Sequence, residues 1–88
     1  MPYVTPARRE ELDVLTEEMI SAMRRGDENL VAGDLNYLFT KIMLATRPAR
    51  YADFNALIGM LECCKLEMYR RAVGPYEDTK IKENGDVY

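Results

Sequence analysis

From Tyr51 to Val73, apolar side chains recur at spacings of three and four without a break: Phe54, Leu57, Ile58, Leu61, Cys64 or Lys65, Met68 and Ala72. That period belongs to an α-helix, and at about 1.5 Å per residue a helix of about 22 residues is about 33 Å long. A compact chain of 88 residues has a diameter of only about 30 Å. The helix therefore reaches from edge to edge of its own globule, and its ends gain by packing on another subunit. Leu66, Tyr69 and Val73 lie off the main stripe and offer that second face. Gly74-Pro75 reads as its stop, by the usual Gly just past a helix end and the Pro that follows.

Two shorter periodic stretches precede it. Thr5-Pro6 opens the first, with a hydroxyl acceptor at the N-cap and a Pro at N1 whose missing N–H sacrifices no bond. Glu10, Glu11 and Asp13 fall in the early turns, where the helix dipole favours them. Leu12, Leu15, Met19, Ile20 and Met23 form its stripe, and Gly26-Asp27-Glu28-Asn29 ends it. Gly33-Asp34 reads as the next N-cap, with Leu35, Leu38, Phe39, Ile42 and Met43 as the stripe. This helix closes before Arg47-Pro48, because a proline disfavours helix at the residue before it. The expectation is an all-α, oligomeric three-helix bundle forming a single domain over 1–88, with helices at about 6–25, 34–46 and 51–73. Residues 75–88 are expected as an ordered tail over the helices, anchored by Tyr76, Ile81, Val87 and Tyr88; a frayed terminus is the alternative.

Composition narrows the function classes. Hydrophobic residues make up 48% and charged residues 31%, too apolar a balance for a disordered segment. No apolar run is long enough to span a bilayer, and Met1-Pro2-Tyr3-Val4 leads into Thr-Pro and two arginines without the apolar core of a secretory signal. A cytoplasmic protein without a membrane partner is expected. Twelve Lys and Arg against fifteen Asp and Glu give a net charge of -3, which argues against a nucleic-acid polymer as partner. With no histidine, the usual catalytic triads and most metal sites lose their centre. The pairs Glu10-Glu11 and Glu17-Glu18, and Glu62 with Glu67, read more economically as solvated faces than as catalytic carboxylates. No enzyme and no cofactor are expected. Cys63 and Cys64 are adjacent, which suits neither a metal pair nor a bridge within a helix, and they read as buried thiols.

Arginine outnumbers lysine eight to four and clusters at Arg8-Arg9, Arg24-Arg25, Arg47 with Arg50, and Arg70-Arg71. Several of these lie at expected helix C-termini, where a cation meets the negative end of the macrodipole. The sharper reading is a binding site in which guanidinium forks grip a phosphate while a tyrosine stacks on a base. Arg47, Arg50, Tyr51, Arg70, Arg71 and Tyr76 are the candidate ligand-binding residues. Asn36 and Asn55 sit inside helical patterns, where they bond to a neighbouring backbone or hold a ligand. Gly59, mid-helix, suggests close helix approach.

The strings Gly33-Asp34-Leu35-Asn36-Tyr37, Arg50-Tyr51-Ala52-Asp53-Phe54-Asn55, Leu61-Glu62-Cys63, Glu67-Met68-Tyr69-Arg70-Arg71, Pro75-Tyr76-Glu77-Asp78 and Lys82-Glu83-Asn84-Gly85-Asp86-Val87-Tyr88 carry a resemblance over nearly the whole chain. It resembles a family of short phage and prophage proteins of unknown function. The resemblance implies an intracellular, helical, phage-encoded protein, and it brings no assigned site residues. Such proteins are often host-interaction or counter-defence factors. By analogy of source and size, one expectation is an oligomeric sponge that sequesters a small anionic cyclic nucleotide between subunits. The other is an adaptor or inhibitor that engages a host or phage protein.

Overall fold

The structure is a computed structural model and describes residues 4–88; Met1-Pro2-Tyr3, part of the segment read above for a signal, lies outside them. The described chain is all-helical, with three helices and no strand. It divides into two compact units, one ending at Arg47 and the other spanning Pro48–Tyr88.

The first unit is a pair of helices. α1 spans Pro6–Arg24, with Pro6 in its first turn, and the Arg8 backbone N–H donates to Thr5 Oγ1 at 3.3 Å, so the Thr-Pro start forms as its chemistry requires. The chain leaves α1 through Arg25 and Gly26, whose N–H groups donate to the Ala22 and Met23 carbonyls. Asp27 then accepts from the Asn29 N–H at 2.9 Å and caps a single 3-10 turn, Glu28–Leu30, that runs directly into α2, Val31–Ala45. The second helix therefore begins three residues before Asp34. Gly33-Asp34 is not its cap, because Asp27 and the 3-10 turn have already satisfied the entry, and Asp34 sits in the first turn of α2. Leu12, Met19, Met23, Leu35, Leu38 and Met43 are half-buried here.

At its end, the Thr46 hydroxyl donates to the Met43 carbonyl at 2.7 Å, and the Arg47 N–H donates to the Leu44 carbonyl at 3.0 Å. Arg47 holds φ at +56°, the left-handed position that usually terminates a helix as glycine, just before Pro48.

The second unit is one long helix. α3 spans Tyr51–Met68, a π-helical turn spans Tyr69–Val73, and α4 spans Gly74–Asn84, with no loop between them. At its start the Asp53 carboxylate reaches back to accept from the Ala49 and Arg50 N–H groups at 3.1 and 3.0 Å, satisfying donors that the first turn leaves open. Gly74-Pro75 does not stop this helix. Proline lacks an N–H and its ring collides with the carbonyl four residues back, here that of Arg71. A widened turn just before it relieves the conflict: the Gly74 N–H donates to the Tyr69 carbonyl, five residues back, and Pro75 enters as the first turn of α4. Glycine suits that point, since a Cβ on residue 74 would sit 3.2 Å from the Tyr69 carbonyl oxygen, a tight contact.

The expected tail is thus mostly helix. Asn84-Gly85 is its C-cap: Gly85 has φ of +86° and donates to the Ile81 carbonyl at 2.8 Å. Beyond it Val87 and Tyr88 are fully exposed, and Tyr76 and Ile81 are exposed as well, so none of the four is an anchor. Gly59 also departs from expectation, because a Cβ there would meet nothing within 4 Å.

Among the described residues none is buried. Cys63 and Cys64, expected inside, are free and exposed, as are Asn36 and Asn55. Likewise, no helix among the described residues is long and apolar enough to cross a membrane.

Candidate functional site

The six candidate ligand residues do not converge within one unit. Arg47 ends the first, while Arg50, Tyr51, Arg70, Arg71 and Tyr76 lie along the long helix of the second. Arg50 is its N-cap, and Arg70 is twenty positions further on, about 30 Å along the axis. A single small ligand cannot touch both ends of that stretch in one copy of this helix.

Each cluster instead meets a local carboxylate. Arg70 Nη2 donates to Glu67 Oε1 at 2.7 Å, and Arg71 Nη1 stands 3.5 Å from the same oxygen. Arg50 Nη2 lies 3.5 Å from Asp53 Oδ1. The Tyr76 ring has Lys80 Nζ over its face at 5.5 Å, the face that a nucleobase would use. Tyr51 is exposed and carries no such cover. Arg70 and Arg71 were expected near a helix end, facing the negative pole of its dipole; they lie well inside the continuous helix, so Glu67 rather than the macrodipole answers their charge.

These pairs shift two acids. Accepting from the Arg50 and Ala49 backbone N–H groups, and from the Arg50 side chain, holds the Asp53 carboxyl below its ordinary value. The hydrogen bond from Arg70, with the charges of Arg70 and Arg71, does the same to Glu67. Both ionised forms thus belong to the folded long helix, one at its start and one at the edge of the π turn. Among the described residues no group of three Asp, Glu or Cys side chains is placed to hold a metal ion.

A concave surface does exist in the first unit. An open groove of about 360 Å³ is lined by Ile20, Met23, Arg24, Gly26, Glu28 and Val31, where α1 hands over to the 3-10 turn and α2. Its floor is apolar and its rim carries one charge of each sign, the pattern of an interface patch. A neighbouring hollow shares Met23 and Gly26 and adds Asp34, Tyr37 and Leu38. Sequence periodicity had placed Ile20 and Met23 in the interior stripe. Ile20 is exposed there and Met23 half-buried.

The long helix is apolar on more than one side. Leu57 and Leu61 are half-buried, while Ile58, Leu66 and Tyr69, which lie around the helix from them, are 63, 57 and 55% exposed. A helix with apolar residues around its circumference is built to be covered on more than one side.

No curated protein and no solved structure matches the chain. One family model does, over residues 1–87, and it is described only as a domain of unknown function. The chain belongs to that family, DUF6899.

Proposed function

We propose that this protein is a non-catalytic adaptor or inhibitor that works by docking helical surface onto another protein, with its helices packed as a bundle. The observation that carries this reading is the exposure of apolar side chains together with the apolar groove at Ile20, Met23 and Val31. Exposed apolar surface of that kind, rimmed by charge, is what a protein partner covers. The resemblance to phage and prophage proteins supports a partner in the bacterial cytoplasm.

A second reading is a sponge for a small anionic nucleotide, and one observation favours it. Arg47 occupies a left-handed backbone position where glycine is cheaper, and such strain is often kept where the side chain is used. The spread of Arg50, Tyr51, Arg70, Arg71 and Tyr76 along one helix requires that any shared pocket draw on a second copy.

Retention of bacterial proteins on the immobilised chain, compared with a Val31→Glu variant, tests the first reading, with a thermal-shift screen against cyclic nucleotides run beside it. The adaptor reading expects a partner retained by the wild type and lost in the variant, with no nucleotide shift. A ligand-specific rise in Tm that disappears in Arg70→Ala or Arg47→Ala, with no retained protein, overturns it in favour of the sponge.

A further inference from the structure

We propose that the face of the long helix that carries Ile58 and Tyr69 binds a second copy of this chain, antiparallel, about a two-fold axis that passes level with Cys63 and Cys64. Length supplies the first argument. From Tyr51 to Asn84 the helix is about 50 Å long, whereas α1, with 19 residues, is about 28 Å and α2, with 15, about 22 Å. An antiparallel copy of the same helix matches that length from end to end.

Position around the helix supplies the second. At about 100° per residue, Tyr51, Ile58, Glu62, Lys65 and Tyr69 follow intervals of seven, four, three and four and share one side, with Leu66 on its flank. This side holds Tyr51 and Ile58, the two most exposed apolar residues of α3, with Tyr69 at its junction with the π turn; Met68, also exposed, lies on the opposite flank from Leu66. Leu57 and Leu61, the half-buried pair, lie away from it.

Charge supplies the third argument and fixes the direction. A two-fold axis midway between positions 63 and 64 sets Glu62 against Lys65 of the other copy, and Lys65 against its Glu62. The same operation brings Ile58 level with Tyr69. Every match occurs twice, as a two-fold interface requires. A parallel pair in register would place Glu62 beside Glu62 and Lys65 beside Lys65, which like-charge repulsion opposes. Antiparallel helices also oppose their dipoles favourably. Glu62 and Lys65 already pair at 2.9 Å within one copy, so the cross-pairs extend that bond into a four-charge cluster.

Cys63 and Cys64 point about 140° and 120° away from Ile58, outside the interface, so neither thiol would bridge the copies. That makes engineered cysteines readable. In a Cys63→Ser/Cys64→Ser background, Ile58→Cys combined with Tyr69→Cys is expected to form a disulfide-linked dimer under mild oxidation. Ile58→Cys alone is expected to stay unlinked, because its own copy lies about 16 Å away along the axis. Sedimentation equilibrium of the unmodified chain at micromolar concentration should give a dimer or an even multiple. Glu62→Lys or Lys65→Glu alone should weaken association about tenfold, and the double exchange should restore it. A monomeric wild type, self-linking of Ile58→Cys alone, or charge exchanges without effect would each overturn the proposal. None of these results bears on whether the groove of the first unit holds a different protein.

Discussion

Arg47 is the clearest residue whose backbone and side chain make opposite demands. Its φ of +56° closes α2 in the left-handed manner, and an L side chain there costs about 1 kcal/mol against glycine. Arg47→Gly is therefore expected to raise stability by about 1 kcal/mol, read as an increase in Tm. If the side chain serves a ligand, the same variant should lose the nucleotide-induced shift while gaining intrinsic stability, and a loss of Tm would show that the guanidinium holds the fold itself. What the sequence revealed at this scale follows from locality. The Thr5-Pro6 start and the end of α2 before Arg47-Pro48 were legible because each depends on neighbours within one turn. The arginine clusters were legible as positions only. That Arg70 and Arg71 answer one carboxylate, Glu67, three and four residues back, depends on the side-chain rotamers and not on residue type alone.

At the scale of the element, the long helix carries two acids with lowered pKa and one π turn. Asp53 and Glu67 both titrate below their ordinary values of 3.8 and 4.5 in the folded chain. A group whose folded pKa is lowered stabilises the fold above its unfolded pKa and loses that contribution as pH falls through the folded value. Helicity followed by circular dichroism should hold down to about pH 4.5 and then decline, and Asp53→Asn with Glu67→Gln should flatten that decline. An acid limb unchanged by the double variant would assign it to other carboxylates. The continuation of the helix past Gly74-Pro75 was not legible in the sequence. Gly-Pro is the usual signature of a helix end, and the π turn that absorbs a missing N–H leaves no residue signature of its own. Gly59 is the second test here. With nothing within 4 Å of a Cβ, Gly59→Ala should stabilise the helix by about 1 kcal/mol; destabilisation would reveal a close neighbour at that position.

For the whole molecule the governing fact is that none of the described residues is buried. Periodicity told which side chains share a helix face, and so gave the all-helical class; of the residues read as a second face, Leu66 and Tyr69 are exposed and Val73 is half-buried. Periodicity could not tell whether a face is covered, because that depends on packing between elements and between copies. Cys63 and Cys64 show the difference: apolar by nature and mid-helix, they read as interior, yet the long helix leaves them in solvent. A chain of this kind, if completed by a second copy, draws its stability from association, and association follows mass action. Each tenfold rise in protein concentration adds about 1.4 kcal/mol per dimer, and for a dimer of this size that raises Tm by about 4 °C. Calorimetric scans over a hundredfold range of concentration should therefore show a steady rise, which Lys65→Glu shifts to higher concentration. A Tm independent of concentration in a monomeric sample would mean that each copy is stable alone, and would leave its apolar faces to a different protein.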